Sequence, residues 1–201
     1  MKDDYQGAYI MALKMVIPKG DLWDKVYENL ILRIKRDGMQ TGFFATEHIL
    51  PLLTDNGDEK LAFDLLLDER CGGWMYQVKA GATTTWERWD ALRPDGTVNE
   101  TKMSNDNMVS FNHYSFGSVG KFYYQYILGI QPLNPGFEKI RIQPHIDSRI
   151  GKFSGSYREI SVSFDGAVLR ISTPMDTQII LPDGSIHDVR AGDYVFPVKE
   201  Y

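Results

Sequence analysis

The chain has 201 residues, 43% of them apolar, 12% aromatic and 24% charged, and a formal net charge of -5. This is the balance of a globular chain long enough to bury a core, and it excludes a disordered one. With no basic stripe to neutralise phosphates and no apolar run near the roughly 20 residues of a membrane span, nucleic acid and membrane are not expected partners.

Up to about residue 130 the pattern is helical. Ala8, Met11, Ala12, Met15 and Val16 follow helical spacing within Gly7 to Ile17, and Pro18 and Gly20 then interrupt it. Asp21 is the expected N-cap of a second helix with Leu22, Val26, Leu30 and Ile34 on its apolar faces, ending near Gly38. The basic cluster from Arg33 to Arg36 falls in its last turn, where cations favour the helix dipole. A third helix is expected over Thr46 to Leu53, with Asn56-Gly57 as its stop, and a fourth from about Asp58 to Leu67, ended by Cys71-Gly72-Gly73. From Trp74 to Val109 the periodicity breaks into a long polar and aromatic connection, with only a short helix expected around Thr84 to Trp89. Helix returns from about Tyr114 to Leu128.

The breaker cluster Pro132-Leu133-Asn134-Pro135-Gly136 opens a second regime. Apolar and polar residues alternate there through Ile140 and Ile142, then Ile160, Val162 and Phe164, then Leu169 and Ile171. Asp165-Gly166 and Asp183-Gly184 read as two-residue hairpin turns. The fold class is therefore α+β, with a helical domain at 1–131 and a small antiparallel β-sandwich at 132–201. Only about five helices precede the β-region, whereas a closed ring of six helical hairpins needs about twelve. The chain is thus expected to begin in the middle of a domain.

The chemistry concentrates in Thr83-Thr84-Thr85-Trp86-Glu87-Arg88-Trp89-Asp90. One carboxylate stands between two indoles there, beside a guanidinium and a second carboxylate. Indole faces bind sugar rings and shield them from water, and a carboxylate held among them can act as acid or base. The plainer alternative is a core segment whose Trp side chains pack while Glu87 pairs with Arg88. Trp74 and Tyr76 just upstream, and Phe111-Asn112-His113-Tyr114 downstream, favour a site.

Gly81-Ala82-Thr83-Thr84-Thr85-Trp86-Glu87-Arg88-Trp89-Asp90, followed by Ser110-Phe111-Asn112-His113-Tyr114, resembles the C-terminal half of bacterial α-L-rhamnosidases, glycoside hydrolase family 78. Gln6-Gly7-Ala8-Tyr9, Thr41-Gly42-Phe43-Phe44-Ala45-Thr46, Leu65-Leu66-Leu67 and Pro135-Gly136-Phe137 support it in the same order. The resemblance implies part of an (α/α)6-barrel followed by a β-sandwich, inverting hydrolysis of terminal α-L-rhamnosyl bonds, and no cofactor or metal. In an inverting reaction a protonated carboxyl group and an opposing carboxylate stand roughly 6.5–9.5 Å apart, leaving room for the attacking water. By the family pattern Glu87 is the general base, Trp86 and Trp89 wall the sugar, and His113 closes the rhamnose pocket. Trp74 and Asn112 are its neighbours, lining or orienting it. The family's general acid lies upstream in an acidic stretch with a GDW-type motif, which Asp3-Asp4 matches too poorly to supply. The expected chain thus carries the base without the acid and is inactive by itself. Its partner is a rhamnose-containing glycoside or oligosaccharide, and its exposed helix faces predict self-association. The stretch from Ala91 to Val109 is expected to be an insertion at the pocket rim.

A competing expectation is a non-catalytic carbohydrate-binding or interaction module, with Trp74, Trp86, Trp89 and Tyr114 as a sugar platform. Glu87 discriminates the two, because a lectin-like site needs no carboxylate poised over water. A metal site from Glu47, His48 and His113 is disfavoured, since adjacent helical residues point in different directions. His145 and His187 are read as surface or interface residues. Cys71, the single cysteine, excludes internal disulfides and cysteine-rich zinc sites.

Overall fold

In a computed structural model, residues 4–100 and 109–198 are described, and they form an α+β chain that divides into two compact units, Met1–Val119 and Gly120–Tyr201. The first unit contains α1 (Gln6–Met15), α2 (Asp21–Asp37), α3 (Phe43–Thr54), α4 (Glu59–Leu66) and α5 (Trp74–Lys79). Here α1 packs on both α2 and α3, and α3 packs on α4. Asp21 and Asp24 in the first turn of α2 and Lys35 and Arg36 in its last oppose the helix dipole. Gly38 closes α2 at φ 67, its N–H donating to the Ile34 carbonyl.

Several expectations need correction. Asp21 is the first helical residue and makes no side-chain cap, the N-cap being Gly20. On α2 the buried positions are Trp23, Leu30 and Ile34, while Leu22 faces solvent. The seven-residue step from Trp23 to Leu30 keeps both on one face, and the indole Nε1–H donates to the Leu13 carbonyl at 3.1 Å. α3 begins three residues before Thr46, because Gly42 is its N-cap and the Thr46 hydroxyl bonds back to the Gly42 carbonyl at 2.8 Å. No helix forms over Thr84 to Trp89, where the chain is irregular, and the helix in this stretch is instead α5. The helix expected from Tyr114 is composite, with a 3-10 turn over Tyr114–Ser118, one α-turn over Val119–Phe122 and a π-turn over Tyr123–Ile127.

The second unit carries β1 (Ile130–Pro132), β2 (Ile140–Ile142), β3 (Phe153–Tyr157), β4 (Ile160–Phe164), β5 (Val168–Thr173), β6 (Thr177–Ile180), β7 (Ile186–Val189) and β8 (Gly192–Pro197). They form two four-stranded sheets, in the orders β1-β2-β6-β7 and β3-β4-β5-β8. The expected wholly antiparallel pattern fails at one ladder, where β2 and β6 run parallel with Ile140 opposite Thr177. The chain leaves the first sheet after β2, builds β3 to β5 and returns as β6, and so long an excursion permits a parallel pair where a tight hairpin does not. Ile140, Ile142 and Ile179 from one sheet and Ile160, Val162, Phe164, Leu169 and Ile171 from the other form one buried cluster. Each such side chain stabilises by about 1.5–3 kcal/mol on burial, which gives the alternating pattern of these strands its physical cause.

Both expected hairpins occur, with longer loops than two residues. Between β4 and β5 the Asp165 carboxylate accepts the Ala167 and Val168 N–H groups at 3.0 and 2.8 Å and the Arg170 guanidinium at 2.6 Å. Residues 181–185 join β6 to β7, closed by the Leu181 N–H to the Ser185 carbonyl. A third hairpin, unsuspected from sequence, joins β3 to β4 through Arg158 and Glu159, both at positive φ (49 and 64).

Candidate active site

The two motifs meet because the backbone brings them side by side. The Glu87 N–H donates to the Ser110 carbonyl at 2.9 Å, and the His113 N–H donates to the Thr85 carbonyl at 2.8 Å. Side chains add to this ladder, with the Thr85 hydroxyl donating to the His113 carbonyl at 2.7 Å and the Thr84 hydroxyl to that of Phe111. Glu87, Asn112 and His113 are therefore held on neighbouring strands of irregular chain, as their spacing in sequence could not require.

Glu87 is half-buried, and its Oε2 accepts the Ser110 N–H at 2.8 Å. Its Oε1 makes no hydrogen bond among the described residues. A main-chain donor thus fixes the carboxylate's orientation and leaves one oxygen open, a competent arrangement for a base that takes a proton from water. The neighbouring Arg88 pairs with Asp90 at 3.1 Å. Asp90 in turn accepts the Asn99 amide at 2.6 Å, and Asn99 accepts from Arg93 at 3.0 Å. These bonds anchor a small hairpin over 91–99, in which Leu92 and Val98 face each other and the Tyr76 hydroxyl donates to the Leu92 carbonyl at 2.8 Å. Residues 91–99 of the stretch expected as an insertion form this hairpin. Residues 101–108 of that stretch lie outside the described residues.

His113 is half-buried and caps the 3-10 turn after it, its Nδ1 accepting the Ser115 N–H at 3.3 Å. Its ring stacks on Phe43 at 4.5 Å and on Tyr114 at 5.3 Å. Asn112 is exposed, and its main chain, not its amide, is engaged, by the Ser110 hydroxyl at 3.0 and 3.2 Å.

The three indoles lie deeper. Trp74, Trp86 and Trp89 are 5%, 4% and 9% exposed. Trp89 stacks on Phe116 at 3.8 Å, meets Trp74 edge-on at 5.0 Å and donates its Nε1–H to the Thr41 carbonyl at 2.7 Å. Trp74 donates to the Phe116 carbonyl at 2.9 Å. Trp86 meets Tyr76 and Phe111 edge-on, and its main-chain N–H donates to the Gln77 side-chain carbonyl at 3.1 Å. The Nε1–H groups of Trp74 and Trp89 are satisfied, and all three rings are buried against aromatic neighbours, so in this chain the indoles pack as core beside the segment that carries Glu87. Phe43 and Phe111 are partly exposed, and Tyr114 is 87% exposed.

Sequence reasoning gave no role to Thr41, Phe43, Gln77, Ser110, Ser115 or Phe116. Thr41, Phe43 and Ser110 stand inside the Thr41–Thr46 and Ser110–Tyr114 motifs, and that is their only signal. Glu47 and His48, on α3, belong to no metal cluster, since no three His, Cys, Asp or Glu side chains among the described residues come together. No helix among the described residues is long and apolar enough to cross a membrane.

Residues 1–127 match the family model for the bacterial alpha-L-rhamnosidase 6 hairpin glycosidase domain. The chain belongs to this family. It is 34% identical over 187 residues to an α-L-rhamnosidase of Streptomyces avermitilis, covering 88% of this chain and 18% of that protein. An α-L-rhamnosidase of Alteromonas sp. (strain LOR) is 30% identical over 181 residues, with 88% and 19% covered. This rhamnosidase-family chain therefore spans under a fifth of the length of these curated relatives. Among solved structures, the Streptomyces avermitilis α-L-rhamnosidase complexed with L-rhamnose aligns with a TM-score of 0.86 at 29% identity, over 98% of this chain and 22% of that one. The Aspergillus terreus enzyme aligns with a TM-score of 0.84 at 29% identity, over 99% and 24%.

Proposed function

We propose that this chain supplies the general-base half of an inverting α-L-rhamnosidase. On this reading residues 1–131 are the C-terminal portion of an (α/α)6-barrel catalytic domain, and residues 132–201 are a β-sandwich that follows it. The observation that carries the proposal is Glu87, with Oε2 fixed by the Ser110 N–H and Oε1 without a partner among the described residues, on a segment whose main chain pairs with that of His113. Glu87, ionised, takes a proton from a water molecule as that water attacks the anomeric carbon. The general acid, which protonates the leaving oxygen on the opposite side, belongs to the part of the enzyme upstream of the matched region. His113 and Asn112 contact the rhamnose, and Trp74, Trp86 and Trp89 pack as core beside the segment that carries Glu87. The substrate is a rhamnose-containing glycoside and water is the glycosyl acceptor, in keeping with the rhamnose-complexed relative.

Inversion gives a direct test. A polypeptide extended upstream to the length of its relatives, given a chromogenic α-L-rhamnoside, is expected to release β-L-rhamnose first, as seen by proton NMR before mutarotation. First release of the α-anomer would overturn the base assignment. The 201-residue chain is expected to show no turnover beside it, and turnover by this chain would contradict the division of the carboxylate pair. Met15, Val16, Leu22 and Leu32 are exposed apolar side chains on and just after α1 and on α2, and they support self-association of the isolated chain.

The alternative, a non-catalytic sugar platform, needs open indole faces. Burial of all three tryptophans removes them from that role and leaves Tyr114.

A further inference from the structure

His113 sits on top of a continuous aromatic column. Tyr114 stacks on one side of it at 5.3 Å, and Phe43 stacks on it at 4.5 Å with an interplanar angle of 19°. Phe43 leans edge-on against Phe116 at 5.8 Å, and Phe116 lies flat on Trp89 at 3.8 Å and 7°. Trp89 is tied to the Thr41 carbonyl, two residues before Phe43, so the base of the column and the residue that clamps the imidazole share one stretch of chain. At the other edge of the ring, Nδ1 accepts the Ser115 N–H. A neutral imidazole has one donor and one acceptor nitrogen, and engaging Nδ1 as an acceptor places the proton on Nε2.

We infer that Phe43 is a positioning residue which, with the Ser115 N–H, locks His113 in the Nε2–H form, making it a one-way hydrogen-bond donor to an acceptor oxygen of the substrate. The column opposes the ring flip that would put Cδ2 in place of Nδ1 and Cε1 in place of Nε2, and the Ser115 N–H penalises the other tautomer by leaving a main-chain donor facing an N–H. The ligand that fits is one presenting an oxygen lone pair at this point, such as a sugar hydroxyl or ring oxygen. An ammonium or amide N–H in the same place meets donor against donor and is rejected. That the acceptor belongs to a rhamnosyl group rests on the functional reading above; the lock itself does not.

Nitrogen NMR on the imidazole-labelled 201-residue chain tests this without turnover, at alkaline pH where histidine is neutral. The His113 signals are assigned by their loss in His113→Gln. Nδ1 is expected to be pyridine-type and Nε2 pyrrole-type, with the Nε2–H form favoured by about tenfold, as a main-chain hydrogen bond of this class supports. Phe43→Leu is expected to reduce that preference several-fold, and Phe43→Tyr, which keeps the stacked ring, to preserve it. An Nδ1–H form or an even mixture in the unaltered chain overturns the inference. So does a preference that Phe43→Leu leaves unchanged while the chain stays folded by circular dichroism. Adding L-rhamnose is expected to move the Nε2 resonance more than the Nδ1 resonance. A locked ring that does not respond to L-rhamnose would overturn the rhamnose reading and the substrate half of the inference, while leaving the lock established.

Discussion

Trp89→Phe separates a structural indole from a sugar platform. The substitution keeps an aromatic ring against Phe116 but removes the Nε1–H that satisfies the Thr41 carbonyl at 2.7 Å, and Thr41 is only 3% exposed. A buried acceptor left without its donor costs about 1–3 kcal/mol. The smaller ring also weakens the edge-on contact with Trp74 at 5.0 Å, by about 1 kcal/mol. Together these predict a loss of about 2–4 kcal/mol, or roughly 4–16 °C in melting temperature for a chain of this size. The assay is urea unfolding of both forms followed by tryptophan fluorescence and circular dichroism, with the slopes compared to confirm that only stability has changed. An unchanged midpoint, accompanied by weaker L-rhamnose binding, would refute the structural assignment and return the indole to the sugar-binding face.

Other consequences are equally concrete. The Arg170 guanidinium and the Val168 and Ala167 N–H groups hold Asp165 down to about 2, so its carboxylate stabilises the β4–β5 hairpin above the ordinary carboxylate range. That contribution should fade as pH falls from about 4 through about 2, and Asp165→Asn should flatten the acid limb of a stability profile. Gly129 has φ 74, and a Cβ there would lie 2.1 Å from the Gln143 carbonyl carbon. Gly129→Ala should therefore cost about 2–6 kcal/mol by clash and backbone strain together, read as a lowered urea midpoint. Glu159 sits at φ 64 in the tight β3–β4 turn, so Glu159→Gly should raise stability by about 1 kcal/mol, and an unchanged or lower melting temperature would contradict that.

Periodicity made most of the fold legible. The helical spacing and breakers of residues 6–67 mark four of the five α-helices of the first unit to within a few residues, and alternation through Ile140, Ile160 and Leu169 marks three strands of the buried cluster. What sequence could not show has physical reasons. Arg158-Glu159 adopts left-handed backbone that neither residue prefers, so the tightest hairpin carries no turn signal. The parallel pairing of β2 with β6 depends on where the chain returns after three other strands, which no local pattern encodes. The short helix expected over Thr84–Trp89 does not form, because those residues direct their hydrogen bonds to Ser110, Phe111 and His113 instead of to one another. For the site, the motifs pointed to Glu87 and His113 but not to their supports. Phe43 and Thr41 lie more than forty residues upstream of Glu87 and enter through α3 and the turn before it, a contact visible only in three dimensions. The tryptophans drew attention as open surfaces, whereas their Nε1 partners at Thr41 and Phe116 show two of them knitting the core together.

The central claim is that Glu87 takes the proton from the attacking water. The most direct measurement is the turnover of an aryl α-L-rhamnoside by the upstream-extended polypeptide with and without Glu87→Gln, alongside its affinity for L-rhamnose and its melting temperature. The account predicts a loss of about 10²–10⁴-fold in kcat, with affinity and melting temperature nearly unchanged, because glutamine retains an oxygen to accept the Ser110 N–H. Turnover that survives the substitution would contradict it.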